Sequence, residues 1–125
     1  MTLAAVIYAI DLGRMVDFYR TLGLEVDELE HGDYAVLLGP AIELSIVQMP
    51  ERLAAQIDTS NPAEARSDVR LKLAFTVSSI DETVEAARLL GGPIKDDSKR
   101  WQFRGHDVQD AIDPEGNVYQ LRAPL

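Results

Sequence analysis

Cysteine is absent from the chain, which excludes disulfides, thiolate metal sites and thiol nucleophiles and leaves the redox compartment undetermined. Positive charge is in short supply: twelve basic residues face twenty-one acidic ones, for a net charge of −9. A nucleic-acid backbone would be repelled over most of such a surface, so nucleic-acid partners are not expected. No apolar run approaches the roughly 18 residues of a membrane span, and no membrane partner is expected either. A nucleophile elbow, a phosphate-cradling glycine loop and a dinucleotide fingerprint are also missing, which leaves hydrolase and nucleotide-dependent chemistry without support. Gly91-Gly92 is a helix stop, not a phosphate loop.

What is present is ordinary globular material: 125 residues, 46% hydrophobic and 26% charged, suited to a single domain over residues 1–125. Met1 to Ile10 has no basic start and no cleavage-like site, so it reads as a strand rather than a signal peptide, and a cytoplasmic location is expected. The acidity fits a solvated surface, or a cationic ligand.

Ala4 to Ile10 is a β-rich apolar run, and Leu12, Met15, Val16, Tyr19 and Leu22 then fall on one helical face before Gly23. Extended segments follow at Leu24 to Glu30, Tyr34 to Leu38 and Ala41 to Gln48, separated by the turn chemistry of His31-Gly32-Asp33 and Gly39-Pro40. Residues 50–70 break the pattern as a linker in which Glu51 to Ile57 can form a helical turn or two. Leu71 to Val77 then reads as a strand. Ser79 caps a helix, with Glu82 completing a capping box, and Ile80, Thr83, Val84, Ala87 and Leu90 form its apolar face before Gly91. Three less regular extended pieces close the chain.

The halves match by subtraction. An offset of 68 carries Leu12, Met15, Val16, Tyr19, Leu22 and Gly23 onto Ile80, Thr83, Val84, Ala87, Leu90 and Gly91. An offset of 77 carries Gly39, Ile42, Glu43 and Leu44 onto Gly116, Tyr119, Gln120 and Leu121. An internal duplication explains both, with units at 1–49 and 71–125. The expected fold class is α+β: two tandem βαβββ units forming a curved, cleft-building mixed sheet.

This organisation resembles the glyoxalase, bleomycin-resistance and extradiol-dioxygenase (vicinal oxygen chelate) superfamily. The resemblance rests on Val16-Asp17-Phe18-Tyr19-Arg20 followed by Leu22-Gly23-Leu24, on Leu73-Ala74-Phe75-Thr76-Val77 with Ile80-Asp81, and on the Asp113-Pro114-Glu115-Gly116-Asn117 turn. It covers nearly the whole chain and implies a homodimer. It also implies four metal positions, one in the first and one in the last strand of each unit, which fall here on Ala4, Glu43, Lys72 and Gln120. One carboxylate, one amide, a methyl group and an ammonium do not suit a divalent cation. No metal and no cofactor are therefore expected. His31, in a turn, and His106, in a hairpin, read as surface or supporting residues.

Strand alternation points Lys72, Ala74 and Thr76 to one face, with Ala4, Val6 and Tyr8, with Ala41, Glu43, Ser45 and Val47, and with Val118, Gln120 and Arg122. Lys72 is expected to replace the ion and pair with Glu43, within one chain or across a dimer. The alternative is that Lys72 reaches out to solvent and Glu43 is simply hydrated. Trp101, Phe103 and His106 lie near the same wall; Trp101 can stack on a planar or cationic ligand, or can pack as an ordinary edge residue. The expected ligand-binding residues are thus Tyr8, Glu43, Ser45, Lys72, Thr76, Trp101, Phe103, His106, Gln120 and Arg122.

Two functions remain open from sequence. One is a metal-independent small-molecule binding protein. The other is a glyoxalase-like lyase or isomerase, or another enzyme, with Lys72 and Glu43 as catalytic residues or with a metal site rebuilt elsewhere. A carboxylate beside Lys72 opposes the fall in pKa that a lysine base requires.

Overall fold

Asp11 leaves the first strand with an extended backbone, and its carboxylate accepts a hydrogen bond from the Arg14 amide at 3.1 Å. This cap satisfies one of the amide donors that a helix start leaves open. In the computed structural model, which describes residues 3–57, 63–95 and 99–125, the first unit runs β1 (Leu3–Ala9), α1 (Leu12–Arg20), β2 (Glu25–Glu30), β3 (Tyr34–Leu38), β4 (Ile42–Gln48) and a short α2 (Glu51–Ala54). The second runs β5 (Ala74–Thr76), α3 (Ile80–Leu89), β6 (Trp101–Phe103), β7 (His106–Ile112) and β8 (Val118–Pro124). Contacts divide the chain into Met1–Asp58 and Thr59–Leu125.

Each unit is one four-stranded mixed sheet, ordered β1-β4-β3-β2 and β5-β8-β7-β6. The first-to-last strand pairs are parallel and the others antiparallel. The same connectivity in both halves is what the sequence repeat predicts. In the first unit α1 buries Leu12, Met15, Val16, Phe18 and Tyr19 against the strand face of Ala35, Leu37, Leu44 and Ile46, all fully buried. Burying such a side chain contributes roughly 1.5–3 kcal/mol. Gly23 ends this turn with φ +97° and Gly91 ends the matching one with φ +88°, a conformation that costs glycine little. β2 is exposed along its length and carries Glu25, Asp27, Glu28 and Glu30, charges that protect an edge strand from pairing with another chain.

In the second unit Ser79 caps α3 by accepting from the Glu82 amide at 3.2 Å. That helix buries only Ile80 and Ala87; the expected core positions Thr83 and Val84 are half-buried and Leu90 is exposed. The sheet supplies the rest of the core through Phe75, Ala111, Tyr119 and Leu121. The strand expected over Leu71 to Val77 is shorter than predicted, at Ala74–Thr76. Residues 63–70 form no helix or strand.

The Asp113 turn holds the last hairpin. Asp113 is fully buried, and its Oδ1 accepts from the amides of Glu115 and Asn117 at 2.9 and 3.0 Å while Oδ2 accepts from Asn117 Nδ2 at 2.8 Å. Gly116 takes φ +85° there, and a Cβ on it would collide with the Glu64 carbonyl oxygen. The motif is therefore structural.

Candidate functional site

The turn at Asp113 to Asn117 fixes the register of β7 against β8, pairing Ile112 with Val118, Asp110 with Gln120 and Val108 with Arg122. Parallel pairing adds Ala74 opposite Gln120 and Thr76 opposite Arg122, and β6 adds Trp101 opposite Val108. Paired residues point to the same side of a sheet. One row thus reads Trp101, Val108, Arg122, Thr76, and the next reads Asp110, Gln120, Ala74. The opposite face carries Phe75, Leu121 and Tyr119 into the core.

Lys72 departs from expectation in two respects. Ala5 pairs with Leu44 whereas Phe75 pairs with Leu121, so the first strands correspond at an offset of 70 rather than 68. Ala74, not Lys72, is therefore the register equivalent of Ala4. A two-residue slip preserves side-chain parity, so Lys72 keeps its face but lies one step further along. From there its Nζ reaches Asp110 Oδ2 at 2.7 Å, with side-chain exposures of 33% for Lys72 and 14% for Asp110. The carboxylate partner is Asp110, and Glu43 makes no hydrogen bond or ion pair among the described residues. Asp110 was missed from sequence although the turn it precedes was recognised; counting outward from Asp113 to Asn117 places it opposite Gln120.

Arg122 is the other centre of this face. Its Nη2 donates to Gln120 Oε1 at 3.2 Å, and its guanidinium lies 5.6 Å from the Phe103 ring centroid, a cation–π distance. Its Nε is buried without a hydrogen-bond partner among the described residues. Phe103 and Trp101 remain partly exposed. His106 Nδ1 lies 2.7 Å from the Arg104 carbonyl oxygen, which a protonated Nδ1 satisfies by donating and which fixes the ring at the rim. Lys72, Thr76, Trp101, Phe103, Gln120 and Arg122 thus share one face, with His106 at its edge.

The first unit presents a different wall. Its rows are Ala4, Glu43, Leu38, then Val6, Ser45, Val36, then Tyr8, Val47, Tyr34. The expected residues Tyr8, Glu43 and Ser45 thus share a face; Val6 and Tyr8 are exposed on it, at 57% and 62%, and β2 adds Glu25, Glu28 and Glu30 at its edge. His31 is elsewhere, lining a cavity of about 340 Å³ with Asp11, Asp17 and Gln48. Gln48 is committed to structure: its Oε1 accepts from the Leu12 amide at 3.0 Å, and its Nε2 donates to the Ile10 carbonyl at 2.7 Å.

The donor set does not fit a metal of the kind the superfamily's chemistry implies. Two of the four register positions, Ala4 and Ala74, carry methyl groups, and Lys72 in place of Ala74 would bring an ammonium. Divalent cations take several oxygen, nitrogen or sulfur ligands. Among the described residues no three His, Cys, Asp or Glu side chains come together to hold an ion.

Two βαβββ units of this topology define the vicinal oxygen chelate class. A family model described as a glyoxalase-like domain matches residues 4–122, and the chain belongs to that family. No curated protein matches it. Among solved structures, it is similar to a glyoxalase/bleomycin resistance protein/dioxygenase family enzyme from Burkholderia phytofirmans PsJN, at 18% identity and TM-score 0.71, covering 98% of this chain and 97% of that one. It is similar to a lactoylglutathione lyase from Agrobacterium tumefaciens, at 22% identity and TM-score 0.61, covering 98% and 92%. It is also similar to the bleomycin-binding protein of Streptomyces verticillus, a structure with copper(II)-bleomycin, at 18% identity and TM-score 0.59, covering 100% and 97%. At these identities the likeness establishes the fold. No helix among the described residues is long and apolar enough to cross a membrane.

Proposed function

We propose that this chain is a metal-independent small-molecule binding protein of the glyoxalase and bleomycin-resistance type, which captures its ligand on the Lys72 to Arg122 face without transforming it. The observation that carries the proposal is the pair of rows Ala4–Glu43 and Ala74–Gln120, in which half the positions that a metal would need lack a ligating atom. Lys72 supports capture over catalysis: its Nζ is held by Asp110 at 2.7 Å and is committed to that ion pair rather than presented alone to a ligand. Family resemblance extends the proposal to a cytoplasmic homodimer, which sedimentation equilibrium tests.

Purified protein should contain no stoichiometric Zn, Ni, Mn or Fe by elemental analysis, and chelators should leave ligand binding unchanged. Trp101 is the single tryptophan, so a compound bound on this face should change its fluorescence, and Trp101→Phe should weaken that compound's binding. One tightly held metal per chain would sink the metal-independent reading. Turnover of the methylglyoxal–glutathione hemithioacetal that survives chelation and disappears in Lys72→Ala would sink capture without chemistry.

A further inference from the structure

We infer that the ligand of this face carries a carboxylate next to a planar ring, with Arg122 as its anchor; the inference rests on the capture reading above and adds the chemical class. The two cations on the face differ in availability. Lys72 is neutralised by Asp110. Arg122 meets a neutral amide at Gln120, an aromatic face at Phe103 and no carboxylate among the described residues.

Phe103 holds the guanidinium near its ring, and Gln120 takes one Nη2 proton, so the group is oriented before any ligand arrives. A fixed planar fork suits the two oxygens of a carboxylate better than a mobile ammonium does. The buried Nε without a partner has the same implication, since an unsatisfied buried donor is costly and an arriving anion lets the guanidinium repack. Trp101 lies in the same row as Arg122, separated by Val108. With Phe103 it offers exposed ring surface on which a planar substituent can stack. The net charge of −9 does not prevent this, because surface charges beyond a Debye length of about 8 Å are largely screened at physiological salt.

Benzoate, benzamide and benzamidine test the inference by titration into the ¹⁵N-labelled full chain, following the Trp101 indole and the Arg122 Nε–H resonances. Benzoate should shift both, with benzamide weaker by about tenfold, the range expected when a charge-assisted contact becomes a neutral one. Arg122→Gln should erase the preference for the acid, and Arg122→Lys should keep a reduced part of it. Equal affinity for benzoate and benzamide, or tightest binding of benzamidine, overturns the anionic class while leaving small-molecule capture intact. Absence of any shift at either resonance with all three compounds overturns the anionic class and counts against capture as well. Should Arg122→Gln fail to fold, the acid–amide comparison on the native chain decides alone.

Discussion

In the first unit α1 buries five large or medium apolar side chains, and in the second α3 buries Ile80 and Ala87 alone. The exposed sheet faces differ in the opposite sense. Ala4, Val6, Tyr8 and Leu38 make the first apolar around Glu43, with an acidic edge of Glu25, Glu28 and Glu30 on β2, whereas the second sets the pair Lys72 and Asp110 beside the pair Gln120 and Arg122. A duplicated topology has thus been divided in use. The half with the stronger helix packing sets carboxylates but no cation in the rows of its exposed face, and the half that presents both signs is held by its strands and by the Asp113 turn.

Matched positions can break this comparison. The largest effect is expected at Gly116, whose repeat partner is Gly39. Gly116→Ala combines a left-handed backbone with a collision against the Glu64 carbonyl and should cost about 3 kcal/mol or more. That lowers the thermal midpoint by roughly 10 °C for a chain of this size. Gly39→Ala meets the Leu24 Cδ2 methyl at 2.8 Å, which a side-chain adjustment relieves, and should cost about 1 kcal/mol. Equal losses in thermal unfolding would mean that the two glycines serve one purpose.

A second contrast separates the helices. Met15 is fully buried and Met15→Ala should cost about 2–5 kcal/mol. Its partner Thr83 is half-buried, with its hydroxyl donating to the Ser79 carbonyl at 2.8 Å. Thr83→Ala exchanges that local bond for better helix propensity and should stay within about 0.5 kcal/mol. Urea unfolding of both variants gives the two numbers directly. A loss at Thr83 comparable to that at Met15 would show that α3 contributes as much to the core as α1.

Helix phases, caps and turns were legible in the sequence because they follow local rules: Leu12, Met15, Val16 and Tyr19 fall on one side of a 3.6-residue period, and Ser79 caps what it precedes. The face shared by Lys72, Thr76, Gln120 and Arg122 was legible too, since parity along a strand survives any even slip. Partner identity was not. Asp110 comes within reach of Lys72 through the pairing of β7 with β8, which sets Asp110 opposite Gln120, a register between strands that parity along one strand does not give. Phe18 shows the same limit on a smaller scale: it borders the stripe traced from sequence, i+3 from Met15, and was not counted in it, yet it is fully buried.

The smallest expected effect separates the units by the ionisation of two tyrosines. Tyr34 donates from its hydroxyl to Glu28 Oε1 on the neighbouring edge strand, and that hydrogen bond, with repulsion from Glu28, Glu30 and Asp33, holds its pKa up at about 12 against the usual 10. Tyr119 is also raised, but burial is the main cause and the charge of Asp113 adds to it. For Tyr34 the folded pKa exceeds the unfolded one, so its contribution to stability is complete below pH 10 and is lost as pH rises through 12. Glu28→Gln removes both the charged acceptor and the nearest repulsion, so Tyr34 should titrate close to 10 while Tyr119 stays high. The ring ¹³C resonances of the four tyrosines followed against pH read Tyr34 and Tyr119 individually, and the shift should shrink in high salt only as far as its Coulombic part allows. A common shift of both tyrosines in Glu28→Gln would show that they respond to one shared field rather than to a surface hydrogen bond in one unit and a buried ring in the other.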